Sequence, residues 1–196
     1  MATAGSKMAG QTQSSSVIAG RHIYLCLPTS EDIPRIFQWE SDIETRPMWQ
    51  DNNNLPSPLS FGSEFARKID SSYHTFFLSR SISSHRLVGC VYSYGFNRID
   101  GFMHITVFMD RDARGGMLGA EAGLLFCEYL FRFFPLRKIY CVAFAYNQES
   151  TAMLKHSGLS CEGVFRKHKY FNGEYYDMYT YALYRDDMPS FSRYIH

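Results

Sequence analysis

Arg114-Gly115-Gly116, with Gly119 three residues on, stands at the junction of two patterns of different period, and that junction carries the clearest chemistry in the chain. Before it, Met103, Ile105, Val107 and Met109 are apolar at every second position, with His104 and Thr106 between them, which predicts a half-buried strand over 102–109. After it, Leu118, Ala122, Leu125, Tyr129, Leu130 and Phe133 fall at spacings of three and four, an apolar helical stripe. A strand, a glycine-bearing turn and a helix N-terminus together present unpaired backbone N–H groups, backed by the positive end of the helix dipole. The chemistry this suits is the binding of an anion such as a phosphate. A plain helix-entry loop is the simpler reading of the same residues. His104, on the polar face of the strand, is a second candidate, because histidine has a near-neutral pKa without tuning and can serve as a general base. A partly exposed strand histidine packed by Phe102 and Phe108 accounts for it equally well.

Little else competes. His22, His74, His85, His156, His168 and His196 lack metal-ligand spacing and no Cys/His cluster suggests zinc, so no metal is expected. There is no G-x-S-x-G motif and no pair of catalytic carboxylates. Glu121 falls in the first turn of the helix, where a carboxylate is favoured electrostatically, and reads as structural.

These candidates need a scaffold, and the chain supplies one in order. Residues 1–20 are small and polar and read as a tail without fixed structure. A strand over 21–27 ends at Pro28, and Thr29 with Asp32 offers a cap for a helix whose face is Ile33, Ile36 and Phe37. Residues 43–69 are looser, with a loop at Asp51-Asn52-Asn53-Asn54 and a weak helix over 60–70. Strands over 73–80, 87–94 and 102–109 suggest an antiparallel meander. The long helix then leads to a nearly continuous apolar strand over 137–145, a parallel neighbour of 102–109 in a βαβ crossover. Asn147 caps a helix that stops at Gly158, and strands 160–170 and 175–183 flank Asn172-Gly173, a strong hairpin-turn signal. The boundaries expected are a tail at 1–20, one domain at 21–184 and a polar tail at 185–196.

Composition agrees with one domain: 196 residues, 45% hydrophobic and 16% aromatic. A formal net charge of +1 without a long basic run argues against a dedicated nucleic-acid surface. No segment reaches the ~18 uninterrupted apolar residues of a membrane helix, and residues 1–20 lack a signal peptide's apolar core. Cys26, Cys90, Cys127, Cys141 and Cys161 are odd in number, form no CxxC pair and sit in or beside apolar runs. They read as buried, reduced thiols, which suits the cytoplasm.

In this order and spacing the motifs resemble those of the GNAT superfamily of acyl-CoA-dependent N-acyltransferases, closest to the RimJ/RimL-like branch, over roughly 21–184. Arg114-Gly115-Gly116-Met117-Leu118-Gly119-Ala120-Glu121-Ala122 is similar to the family's R-G-x-G-x-G/A followed by Glu-Ala. Asn147-Gln148-Glu149-Ser150, with Gly158-Leu159 after it, is similar to Asn-x-x-Ser/Ala followed by Gly-Phe, and Tyr170-Phe171-Asn172-Gly173-Glu174-Tyr175-Tyr176-Asp177 to the family's C-terminal hairpin. The resemblance implies an α/β (α+β) GNAT fold: a mixed central sheet of about seven strands flanked by helices, with a V-shaped splay between the fourth and fifth strands, here 102–109 and 137–145. It implies that backbone N–H groups from Arg114 to Ala120 wrap a coenzyme A pyrophosphate, and that the pantetheine arm runs in the splay with Asn147 beside it. A backbone N–H of Val107 or Met109 would serve the oxyanion. His104 stands where relatives often carry a glutamate assigned to base or substrate-orienting work.

Two departures matter. Met117 replaces the first glycine of the usual pair, and Leu154 stands where many relatives carry a tyrosine that protonates the leaving thiolate; Ser150, one turn earlier, could hydrogen-bond the sulfur or simply cap its helix. The acceptor pocket would be built by the first helices and the last hairpin, with Trp39, Trp49 and Tyr170 as candidate substrate-binding residues, although core packing also suits such aromatics. The expected activity is transfer of an acetyl or related acyl group from acyl-CoA to a primary amine, a small molecule in preference to a protein N-terminus, by a monomer or homodimer without nucleic-acid or membrane partners. A non-catalytic acyl-CoA-binding or protein-interaction module is the alternative of another class.

Overall fold

The structure, a computed structural model, describes residues 16–49, 54–70 and 75–195. The expectations for residues 1–15, for the loop at 51–53, for the start of the strand at Tyr73-His74 and for His196 lie outside the described residues.

Among the described residues, eight strands make one mixed sheet in the order β1-β2-β3-β4-β5-β6-β8-β7. They are β1 (Ser16–Ala19), β2 (Ile23–Cys26), β3 (Phe76–Ser81), β4 (Leu87–Asn97), β5 (Phe102–Met109), β6 (Lys138–Phe144), β7 (Ser160–Phe171) and β8 (Glu174–Tyr184). The meander β3-β4-β5 is antiparallel, β5 and β6 are parallel across a helical crossover, and β7 and β8 form the predicted hairpin. Its turn uses Asn172 at φ 47 and Gly173 at φ 89, the paired left-handed conformation that this dipeptide adopts readily.

Alternation along β5 decides which helix covers which face. Met103, Ile105, Val107 and Met109 pack against Ala122, Leu125 and Phe126 of α3 (Leu118–Phe133). Phe108 points the other way and joins Ile36 and Trp39 of α1 (Ile33–Ser41) with Phe61 and Phe65 of α2 (Phe61–Ile69). That second cluster draws on β2, β3, β4 and β5 and takes nothing from β6, β7 or β8. On the α3 side, α4 (Gln148–His156) covers β6 and β8 by laying Leu154 on Ala143 and Tyr181. The sheet is thus sandwiched over one half and helix-covered on a single face over the other. Each fully buried large side chain in these clusters contributes about 1.5–3 kcal/mol relative to exposure.

Local signals explain the entries. Thr29 N–H donates to Asp32 Oδ2 at 2.9 Å and Pro34 sits in the first turn of α1, the expected cap. Buried Glu121 accepts from the backbone N–H groups of His22 (2.8 Å) and Ile23 (3.3 Å), tying α3 to β2. Burial alone would push its carboxyl up; the hydrogen bonds from His22 and Ile23 outweigh that and hold it below the ordinary carboxylate value.

Three expectations are corrected. Ser16–Ala19, placed in the tail, is an edge strand paired with β2, which brings the sheet to eight strands. Residues 185–195 are no simple tail: α5 (Met188–Phe191) lies between two 3-10 turns, and Met188 and Ile195 are buried against the α3 cluster. The cause is visible at Arg185, whose guanidinium donates to Leu136 O (2.6 Å), Phe131 O (2.6 Å) and Phe134 O (2.9 Å), satisfying carbonyls at and just past the end of α3. Finally, all five cysteines are free, but Cys161 is exposed rather than buried, since β7 is an edge strand.

Candidate active site

The pairing of β5 with β6 runs from Phe102↔Lys138 to Ile105↔Cys141 and stops. Beyond it β5 continues against β4 as far as Met109, and β6 continues against β8 as far as Phe144, so the two strands splay apart. Asp110 N–H bonds to Val88 O of β4 (2.8 Å), whereas Gly101 O accepts from Arg137 N at the head of β6 (2.7 Å). Main-chain groups alternate sides along a strand, so the N–H groups of Val107 and Met109 face the splay.

The loop from β5 to α3 lies at the mouth of this splay. Asp110 caps a 3-10 turn at Arg111–Ala113, accepting from Arg111 N–H at 2.8 Å, and it pairs with Arg35 of α1. Arg114 is turned back: its Nε donates to Met109 O (2.9 Å) and its guanidinium lies 5.6 Å from the Phe108 ring centre. Gly115 has φ +77, and a Cβ on Gly115 or Gly116 would meet nothing within 4 Å. Backbone angle, not crowding, is therefore what demands glycine at 115. No side chain caps α3; Met117, at the N-cap, is 63% exposed, and the first intrahelical bond is Glu121 N to Met117 O at 2.9 Å. The amides of Leu118, Gly119 and Ala120 are thus left to the loop side. A Cβ on Gly119 would stand 3.2 Å from Met109 Cγ, so the helix start is drawn close to the strand end.

Across the splay, Asn147 caps α4, its Oδ1 accepting from Ser150 N at 3.2 Å. Ser150 sits half-buried in the first turn. Leu154 is committed to the core with Ala143 and Tyr181, so this position supplies packing and no hydroxyl.

His104 lies on the opposite face from α4, in the paired half of β5 across from Tyr140. Its ring is stacked between Tyr94 (5.3 Å) and Tyr140 (5.1 Å), with Phe102 edge-on at 6.0 Å. Tyr140 is itself held by Glu162, which accepts from its hydroxyl (2.7 Å), from Lys138 Nζ (2.6 Å) and from the Tyr184 hydroxyl. Burial would raise the Glu162 carboxyl, but hydrogen bonds from Lys138, Tyr184 and Tyr140 prevail and lower it from 4.5 to about 2. Sequence periodicity could not reveal this network, because a bulge between Cys161 and Gly163 turns Glu162 out of the strand's alternation.

On the same face, a groove of about 450 Å³ opens between the connection following α1 and the tip of the β7-β8 hairpin. Ile43, Glu44, Arg46, Pro47 and Leu55 line one wall; Tyr170, Phe171 and Asn172 line the other. Arg46 is buried, its Nη1 bonded to Glu40 O (2.7 Å) and 3.4 Å from Glu40 Oε2, and Asp42 accepts from Glu44 N and the Thr45 hydroxyl. Glu40, near the end of α1, and Asp42, just after it, are therefore used internally. Of the three aromatic candidates, Tyr170 is at the groove, whereas Trp39 and Trp49 are buried on Phe108 at 5.1 and 4.4 Å. The residue that sequence reasoning missed is Tyr146. Its hydroxyl donates to Pro47 O (2.6 Å), its ring stacks on Phe171 (4.3 Å) and Phe144 (5.5 Å), and Tyr176 meets it edge-on. It joins both walls of the groove one residue before the α4 cap. Among the described residues, no three His, Cys, Asp or Glu side chains gather as a metal site, and no helix is long and apolar enough to cross a membrane.

Comparison with known proteins agrees with this fold. The fold superposes on RimL, a ribosomal L7/L12 alpha-N-protein acetyltransferase in complex with coenzyme A, at a TM-score of 0.75 and 16% identity over 88% of this chain and 99% of that one. Spermidine N-acetyltransferase from Vibrio cholerae, in complex with CoA and spermine, gives a TM-score of 0.75 and 17% identity over 85% and 98%. At such identities the likeness shows the shared fold. No curated protein matches the chain by sequence. The model of the Acetyltransferase (GNAT) domain matches residues 22–160, well over half of the chain, which therefore belongs to the GNAT acetyltransferase family of acyl-CoA-dependent N-acetyltransferases.

Proposed function

We propose that the chain transfers an acetyl or related acyl group from acyl-CoA to the primary amine of a small molecule, by direct attack within a ternary complex. One observation carries the reading: the splay beyond Ile105↔Cys141 brings the Val107 and Met109 amides next to the uncapped start of α3. The amides of the Arg114–Ala120 segment fit a pyrophosphate, with the helix dipole adding about 0.3–1 kcal/mol at an exposed site. The splay takes the pantetheine arm, with Asn147 and Ser150 on its far side. The amine nitrogen attacks the thioester carbon, charge develops on its oxygen, the C–S bond breaks and the thiolate takes a proton. In this scheme a Val107 or Met109 amide stabilises the oxygen, His104 removes the amine's proton and Ser150 supplies a hydrogen bond to the sulfur. Release of free thiol from acetyl-CoA across a panel of amines tests the proposal.

The buried Leu154 and the exposed Met117 favour a second reading, an acyl-CoA-binding module without catalysis. Tight binding of acetyl-CoA with no thiol release for any amine, protein N-termini included, would decide for it.

A further inference from the structure

We infer that the acceptor is an amphipathic monoamine, a single amino group on an aromatic or branched apolar body, held in the groove between Leu55 and Tyr170. The inference rests on the proposed acyl transfer. Ile43 (65% exposed), Leu55 (54%) and Tyr170 (51%) are large apolar side chains in contact with solvent, and all three line this one groove. Such residues are ordinary when scattered; gathered around a concavity they mark a surface that takes an apolar ligand. The groove also includes Phe171, whose ring is stacked on Tyr146, and Tyr146 adjoins the Asn147 cap at the splay. A body lodged between the walls thus meets an aromatic stack, Phe171 on Tyr146 on Phe144, that adjoins the α4 cap.

Charge sets the limit of one amine. Among the described lining residues Glu44 is the single carboxylate, and the one lining cation among them, Arg46, is held by Glu40. The strand that forms the far wall carries Arg166, Lys167, His168 and Lys169 directly before Tyr170. A polyamine would have to desolvate several ammonium groups against one carboxylate and beside a basic run, which is unfavourable. A peptide docking as an added strand needs a regular edge, but β7 is bulged between Phe165 and Lys169, with Lys167 at φ +48. One charge on an apolar body fits what remains.

The test compares phenethylamine, spermidine and a hexapeptide with a free N-terminus, both in thiol release from acetyl-CoA and in calorimetric binding to the complex with coenzyme A. The expected result is a kcat/KM for phenethylamine about tenfold or more above the other two, with Tyr170→Ala and Leu55→Ala each eroding that ratio while coenzyme A affinity holds. Turnover that favours spermidine or the peptide overturns the inference and leaves acyl transfer intact. If no amine is turned over but phenethylamine binds best, the proposed activity fails and the assignment of the groove stands. Equal or weaker binding of phenethylamine overturns it.

Discussion

Beside α3 the candidate site is made of main chain, and beside Tyr146 it is made of side chains. The proposed donor side comprises the amides of Val107, Met109 and residues 118–120, a positive-φ glycine and an uncapped helix start. The proposed acceptor side comprises Ile43, Leu55, Tyr170 and Phe171, lining one groove whose two walls Tyr146 joins. A backbone site depends on local conformation, so a few glycines at fixed spacing suffice to encode it. A side-chain site can be rebuilt by any substitution on its walls, which is how one scaffold serves different amines.

The sharpest way to break the comparison is to put a side chain into the donor half. Gly119→Ala adds a Cβ 3.2 Å from the flexible Met109 side chain, which can yield, and should cost coenzyme A affinity little. Gly119→Glu sets a carboxylate against the amides proposed to hold the pyrophosphate and should weaken binding by about 10²-fold or more, since like-charge juxtaposition costs several kcal/mol. Equilibrium titration with coenzyme A measures both variants. Equal affinities for the two would remove the phosphate role from this loop.

The same division explains what could be read in advance. Period two and period 3.6, with helix caps and the Asn172-Gly173 turn, placed β2 to β8 and α1 to α4, and the Arg114–Gly119 junction was legible because the role proposed for it lies in its backbone. Trp39, Trp49 and Tyr170 looked alike in sequence, yet two are core and one is wall; composition cannot tell the inside of a cluster from its rim. Tyr146 fell between the strand read over 137–145 and the Asn147 cap and drew no role, because its partner Pro47 is 99 residues away. The signal missed at the C-terminus was local: Met188, Phe191 and Ile195 are spaced by three and four in a segment whose charged residues suggested a tail. β1 offered no alternation, since Val17 and Ile18 are adjacent.

His104 tests whether chemistry sits on the acceptor face. If it is the base, His104→Ala should lower turnover by about 10²-fold with coenzyme A affinity unchanged. Its ring is packed between Tyr94 and Tyr140, so a parallel thermal melt is needed to separate chemistry from packing. Undiminished turnover would leave His104 as a packed strand residue.

Tyr146→Phe is a gentler probe of how the walls are held. It removes only the hydrogen bond to Pro47 O and keeps the stacking on Phe171 and Phe144. Losing one such bond is worth about 1 kcal/mol, so KM for the amine should rise roughly fivefold at constant coenzyme A affinity. A rise in the coenzyme constant instead would mean that Tyr146 serves α4 and the donor side.

The smallest effect is expected where neither side is touched. Glu162 ties β7 to β6 and β8 through Lys138, Tyr140 and Tyr184, at the end of β6 away from the splay. Its carboxyl is held at about 2 in the folded chain against an ordinary 4.5. A depressed carboxyl stabilises the fold fully above the ordinary value, and that contribution is lost as pH falls through the folded value. The stability gap between the wild-type chain and Glu162→Gln should thus be constant above about pH 5 and close between pH 4.5 and 2. Urea midpoints at pH 7, 4 and 3 read it directly. The gap is expected to be modest because the carboxylate is partly solvated, and coenzyme A affinity should not move. A gap undiminished at pH 3 would mean that Glu162 ties β7 to β6 and β8 through packing rather than charge.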